Sequence, residues 1–332
     1  MLLAAWSITV PLFAGAGFWN TIFGDGDQEF ICYSRIHRNY YFAIFGAAIV
    51  LAIIAWSRYR LKKRTAEELQ KQKAIIEEQN KDILDSIRYA SRMQEALKPE
   101  SETLRSLLPK SFFFLRPRDI VSGDFYFVEE SNGKIVIAAV DCTGHGVPGA
   151  FLTFIGNNAL RHVIEKTGSA NPSVLLDAMN AEVKRTLGQQ RPQNELNDGM
   201  EVGLCVFDPK TQTLEYAGAG MPLYILRNGN LEEVKPAKCT VGSIQEHVTS
   251  PPPTHSFTLA AGDGFYLGSD GIADQFGGTE GKKFRKEQVR NLVRDIHPLE
   301  SASQRVKVEQ VIADWMGGNS QTDDMLLIGV KV

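Results

Sequence analysis

Cysteine is scarce in this chain. The 332 residues hold four, Cys32, Cys142, Cys205 and Cys239, far apart and with no CxxC pair. That spacing argues against a zinc site and a disulfide framework, and it suits a reducing compartment. There is also no P-loop and no Gly-rich dinucleotide fingerprint, which places nucleotide or small phosphate-ester chemistry low. Neither sign of charge is in excess. A net charge of −3 excludes nucleic-acid binding through bulk electrostatics. Two local absences matter more. Residues 40–56 contain no charged side chain, and residues 58–98 contain neither glycine nor proline.

The uncharged run "YYFAIFGAAIVLAIIAW" at residues 40–56 would span roughly 25 Å as a helix, enough for a thin or locally adapted bilayer. Tyr40, Tyr41 and Trp56 sit at its ends, where amphipathic rings prefer the membrane interface. "SRYRLKKR" follows at once, and the positive-inside rule then places the rest of the chain in the cytoplasm, at the inner membrane. The competing reading of this run is a buried core helix. Residues 1–23 form a second apolar segment, with a first membrane span, a signal-like segment and the tail of a longer protein as open readings. Residues 24–39 are then a short extracytoplasmic stretch.

Residues 57–98 are rich in Glu, Lys, Gln and Arg, all strong helix formers. Leu69, Ile76, Ile83, Ala90 and Leu97 recur every seven residues, with charge on the other faces. This predicts a helical connector, read either as a parallel coiled coil that makes a homodimer or as a single helix docked on its own domain. Pro99 stops it.

Beyond Pro109 the period changes. "SFFFL", "DFYFVEE", "KIVIAAV", "GLCVF", "TLEYAGA", "LYILRNG", "LEEV", "HSFTLA", "GFYLGS" and "MLLIGVKV" read as short strands, several joined by hairpin turns such as "SNGK" and "RNGN". Helices are expected near 148–166, 172–188 and 285–315, and "GQQRPQNELND" reads as a polar loop. Strands in hairpins, not alternating with helices, predict an α+β fold of antiparallel sheets flanked by helices.

Acidic residues gather at the predicted strand ends. Asp124 follows Ser122 and Gly123, Asp141 closes "KIVIAAV", Asp270 precedes Gly271, and Asp323 and Asp324 precede the last strand. Each alone is as well explained as a turn or helix-cap residue. Together they would repel unless a cation neutralised them, and an oxygen-only donor set suits Mg²⁺ or Mn²⁺.

"VSGDFY", "VDCTGHGVPGAF", "GSDGIADQFGG" and "TDDMLLIGV" resemble the motifs of the metal-dependent PPM (PP2C-like) protein serine/threonine phosphatases, in the bacterial SpoIIE/RsbU-type subgroup. The resemblance covers about residues 110–332 and includes "NDGMEVGLCVFD" and "LEYAGAGMPLYILRNG". It departs from the subgroup at "AGAGMP" and "KCTVGS", which bears on substrate choice. The resemblance implies a β-sandwich with a site for two divalent cations, Mn²⁺ or Mg²⁺, at one end. Asp141 would bridge both metals, the backbone carbonyl of Cys142 would complete one shell, Asp270 and Asp323 would hold the other, and Asp124 would serve the second metal. Two such cations activate a water for in-line attack on phosphorus, so no nucleophilic cysteine or serine is required. His145 is a candidate general acid, Asp324 an orienting neighbour, and Arg116 and Arg118 either hold substrate phosphate or are solvated. The implied activity is removal of phosphate from serine or threonine of a regulatory partner, a STAS-type anti-sigma-factor antagonist or similar switch protein. The alternative is a catalytically silent scaffold on the same fold.

Overall fold

A computed structural model of the chain describes residues 28–168, 171–189, 198–243 and 251–332. The expectations for residues 1–23, for residues 24–27 and for the loop at 190–197 lie outside the described residues. The chain divides into two compact units, Met1–Lys81 and Asp82–Val332.

In the first unit, helix α1 (Gln28–Glu95, 68 residues) begins, and nothing interrupts it through the apolar run. Among the described residues it is the one helix long and apolar enough to cross a membrane, and its large apolar side chains from Tyr40 to Trp56 are exposed. It ends three residues before the predicted boundary: Leu97 N–H donates to the Gln94 carbonyl at 3.1 Å, a tightened last turn before Pro99.

The second unit is a four-layer sandwich. One sheet has the order β1 (Ser111–Arg116), β12 (Met325–Lys331), β9 (Gly264–Gly268), β6 (Leu223–Arg227), β7 (Asn230–Val234). The other runs β2 (Asp124–Ser131), β3 (Lys134–Cys142), β4 (Met200–Asp208), β5 (Thr213–Ala219), β8 (His255–Thr258). All of these pairings are antiparallel. Strand β3 explains the four layers. Its side chains alternate between faces, and both faces are covered. Ile135, Ile137 and Ala139 join Leu223, Ile225, Phe265 and Leu326 of the opposite sheet in the central core. Val136, Ala138 and Val140 pack instead with Leu160 and Ile164 of α3 (Gly146–Thr167) and Leu176 of α4 (Pro172–Leu187). That double burial is why "KIVIAAV" is apolar throughout. A third cluster covers the outer face of the first sheet with α6 (Arg285–Ile296) and α7 (Ser301–Met316).

The single helix expected near 285–315 is two. They break at His297–Glu300, where Pro298 lacks the N–H a continuing helix would need. Between the main strands and these helices lie short elements, α2 (Ser101–Leu107), α5 (Gly271–Asp274) and the β10 (Phe276–Gly277)–β11 (Lys282–Lys283) ribbon.

Candidate metal centre

The strand ends decide where the acidic residues meet. Strands β2 and β3 pair so that Asp124 lies opposite Asp141, and β3 and β4 pair so that Asp141 lies opposite Glu201. In the other sheet β9 runs into Ser269 and Asp270, and β12 leaves from Asp323 and Asp324. The two sheets thus deliver their carboxylates to one end of the sandwich. Asp124 is buried at 3% exposure, Asp141 is half-buried, and Asp270, Asp323 and Glu201 are exposed.

Backbone contacts hold this arrangement close. A Cβ at Gly271 would lie 1.8 Å from the Asp324 carbonyl oxygen, so only glycine lets Asp270 approach the start of β12. A Cβ at Gly149 would lie 2.4 Å from the Gly144 carbonyl and 2.9 Å from the Gly123 Cα, so the start of α3 sits against the loop after Asp141. Gly144 and Gly146 themselves have φ of +82° and +65°.

Asp324 does not stand free to bind a cation. Its carboxylate accepts from the Arg118 N–H at 2.7 Å and the Gly123 N–H at 2.7 Å, tying the loop before Asp124 to β12. Asp323 accepts from the Asp324 N–H at 2.8 Å. Asp124 receives a hydrogen bond from Ser269 Oγ at 2.6 Å, and its own N–H donates to Ser122 Oγ at 3.1 Å. The Cys142 N–H donates to the Gly123 carbonyl at 3.3 Å, and its thiol is buried. Burial, then the nearby Asp124 and Asp141, pushes that thiol well up, which leaves the sulfur inert and the main chain as the available part.

His145 lies at the start of α3, and its Nδ1 is 2.9 Å from Asp119 Oδ2. Arg118 donates to the Thr322 carbonyl at 3.0 Å, so it braces a loop. The Arg116 carbonyl accepts from Gln321 Nε2 at 2.9 Å, while its guanidinium makes no ion pair among the described residues.

The electrostatics describe a site short of positive charge. Burial, then Asp141, raises Asp124 well above the usual carboxylate range. Burial, then Asp270, Asp323 and Glu201, pushes Asp141 up to about 7. Burial and then Asp274 and Asp323 raise Asp270, and burial and then Asp270 raise Glu201. Among the described residues none of Asp124, Asp141, Glu201, Asp270 and Asp323 is in an ion pair. Nor, among the described residues, do any three His, Cys, Asp or Glu side chains close around a single point in the manner of a metal shell. Lys286 acts on Asp270 and Glu201 from a distance, and Lys283 on Asp270, without pairing with them. The donor set is all oxygen and crowded, which fits hard divalent cations.

Sequence reasoning missed three partners of this site. Glu201 stands in the quoted "NDGMEV" stretch, and its signal is the β3–β4 register, which needs the fold. Ser269, in "GSDG", and Asp119, in "RDIVSGD", are polar loop residues that no pattern separates from turn residues.

The model of the stage II sporulation protein E (SpoIIE) family matches residues 131–332. The chain belongs to the SpoIIE family. The match takes in Asp141, Asp270 and Asp323 and begins after Asp124. Among solved structures, the SiaA PP2C domain of Pseudomonas aeruginosa is 32% identical and superposes with a TM-score of 0.69 over 76% of this chain and 98% of that one. The PP2C phosphatase domain of SpoIIE from Bacillus subtilis, with a fragment of its regulatory domain, is 19% identical, with a TM-score of 0.54 over 67% of this chain and 63% of that one. The RsbU and RsbW domains of a Mycobacterium tuberculosis protein are 18% identical, with a TM-score of 0.51 over 68% of this chain and 60% of that one. The last two likenesses show the fold alone. No curated protein matches by sequence. The SpoIIE-family region is thus a PP2C-type phosphatase domain with the antiparallel sandwich the sequence predicts.

Proposed function

We propose that this chain is a membrane-anchored, metal-dependent protein serine/threonine phosphatase acting on a phosphorylated regulatory protein. The carrying observation is the group of carboxylates at one end of the sandwich with no ion-pair partner among the described residues. Asp141, central in that group and flanked by Asp124 and Glu201 across the sheet, would contact both cations. Asp270 and Asp323 would hold one from the second sheet, and Asp124 and the Cys142 carbonyl the other. Glu201 helps to raise Asp141 and is itself raised by Asp270, so it belongs to the same centre.

When bound, two divalent cations supply an acidified, oriented water for in-line attack on phosphorus and offset charge on the phosphoryl oxygens. The chain's own part is placement and protons. Ser269 and the Ser122 hydroxyl fix Asp124. Asp119 holds His145 through Nδ1, leaving Nε2 to hand a proton to the departing serine or threonine oxygen. Arg116, whose guanidinium is in no ion pair among the described residues, is the better candidate of the two arginines for a substrate phosphate, since Arg118 spends its own on the Thr322 carbonyl.

The relatives support the class of partner. One similar structure joins RsbU and RsbW domains in a single protein, which suits a phosphatase of a switch-protein system. For this chain a STAS-type phosphoprotein is the proposed substrate. The connector, α1, would carry dimerisation or membrane state to the helices that follow His145.

The test uses the full chain in detergent micelles, with p-nitrophenyl phosphate and a phosphoserine protein, in Mn²⁺, Mg²⁺ or EDTA, for wild type and Asp141→Ala. Turnover that needs the metal and disappears in Asp141→Ala is expected. No turnover together with no metal binding by calorimetry would support the scaffold reading instead.

A further inference from the structure

We propose that Gln94, in the last turn of α1, is a positioning residue of the metal centre: its side-chain amide clamps the main chain of Ser122 and so fixes Asp124. This rests on the phosphatase reading, but it needs neither a dimer nor a membrane.

A glutamine in the final turn of a charged helix is expected in water. Gln94 is instead buried, at 9% exposure, and both ends of its amide are used. Nε2 donates to the Ser122 carbonyl at 2.6 Å, and the Ser122 N–H donates to Oε1 at 3.0 Å. The side chain thus makes the two reciprocal bonds that a neighbouring strand would make, on a residue with no strand beside it. Ser122 is itself buried, at 1% exposure, so without Gln94 its N–H would be left unpaired away from water.

Ser122 is where several restraints on Asp124 converge. Its carbonyl has two lone pairs, and the second is taken by Thr153 Oγ1 of α3 at 3.0 Å. Its hydroxyl accepts from the Asp124 N–H at 3.1 Å. The next residue, Gly123, donates its N–H to Asp324. Gln94 therefore closes a chain from α1 through Ser122 to Asp124, with α3 attached at the same oxygen.

A small gap lies beside the clamp. A cavity of about 10 Å³, lined by Gln94, Leu97, Lys98, Asp124, Thr153 and Asn157, lies between the helix end and the site. Asn157 Oδ1, in that lining, is buried with no hydrogen-bond partner. A gap of that size has room for about one water beside Asn157, so the two Gln94 bonds act together with the packing of the Gly123 loop against α3.

The experiment uses the full chain in detergent, comparing wild type with Gln94→Met, which keeps length and removes both bonds, and Gln94→Glu, which keeps only the acceptor for Ser122 N–H. Three quantities are read: amide exchange at Ser122 in EDTA, Mn²⁺ affinity by calorimetry, and the Mn²⁺ concentration giving half-maximal turnover. In wild type the Ser122 amide should be protected. In Gln94→Met that protection should fall and Mn²⁺ affinity should weaken about tenfold, the lower end for loss of a residue that orients a metal ligand. Turnover should recover as Mn²⁺ is raised, which general unfolding would not allow. Gln94→Glu should keep part of the Ser122 protection; if Gln94→Met does not fold, this variant decides on the same readouts. A Ser122 amide that exchanges freely in wild type, or unchanged Mn²⁺ affinity in the folded variants, overturns the proposal. Absence of metal-dependent turnover in wild type would count against the phosphatase reading, while the exchange result would still decide whether Gln94 holds Ser122.

Discussion

At Asp141 the folded, metal-free chain keeps a proton that the unfolded chain gives up. The unfolded carboxyl titrates near 3.8 and the folded one near 7, because burial comes first and Asp270, Asp323 and Glu201 add to it. Between those values the native state binds more protons than the unfolded state, so stability falls as pH rises from about 4 to about 7 and levels off above. Asp124, Glu201 and Asp270 are raised too, and push in the same direction. Divalent cations replace those protons, so they should bind more tightly across the same window and remove the loss. The expected outcome is a melting temperature in EDTA that drops between about pH 5 and pH 7.5 and is restored by Mn²⁺. In Asp141→Asn the metal-free drop should shrink and the Mn²⁺ effect should vanish. A melting temperature in EDTA that climbs over this range would show that these carboxylates are not crowded as described. The five acidic positions could be picked out because they stand at the junctions of apolar runs and loops, most of them beside a small residue. Their separate duties came only with the family resemblance, which set Asp324 apart as an orienting neighbour. Asp323 and Asp324 look alike in sequence, yet Asp324 spends its carboxylate on two backbone N–H groups of a loop more than two hundred residues away in the chain.

Among the elements, those with a strong period could be read directly. Strand β3 is apolar on both faces because two layers cover it, and α3 and α4 fall within two residues of their expected ends. The pairing of β1 with β12 could not be read, since it joins the two ends of the domain and depends on how distant strands share one core. Pro298 was a visible break signal, but apolar spacing persists on both sides of it. The connector is the element whose role is most open to test. Leu69, Ile76 and Ile83 on α1 are 65%, 56% and 57% exposed, an apolar stripe at heptad spacing that a second helix could cover. Replacing both isoleucines by glutamate places like charges at successive seam positions. If the stripe pairs two chains, Ile76→Glu with Ile83→Glu should turn a dimer into a monomer by light scattering in detergent and lower turnover. Unchanged oligomeric state and unchanged activity together would end the relay reading.

For the whole molecule, the division of the chain is informative. In sequence the connector ends at residue 98 and the phosphatase domain begins at residue 110, while the compact units part at Lys81 and Asp82, inside α1. The last turns of α1 belong with the domain because Gln94 is bonded into it, and a helix former such as glutamine gives no sign of that in sequence. The first unit presents a different problem. Phe42, Phe45, Leu51 and Ile53 are all at least 58% exposed on one continuous apolar run, and an exposed apolar patch marks a surface that something covers. Either lipid covers it or the basic stretch from Arg58 to Arg64 merely attracts the chain to an anionic surface, and salt separates the two. Attraction of exposed charges is screened within about 10 Å at 0.1 M salt and is weaker still at 1 M. Burial of an apolar helix in hydrocarbon gains from salt if anything. The full chain should therefore sediment with membranes, stay there in 1 M NaCl, and be released only by detergent. Removal of residues 1–57 should leave a protein in the supernatant that still binds Mn²⁺, because Gln94 and every proposed ligand lie beyond that point. Release of the full chain by salt alone would make the attachment electrostatic and leave the run from Tyr40 to Trp56 to be covered by protein.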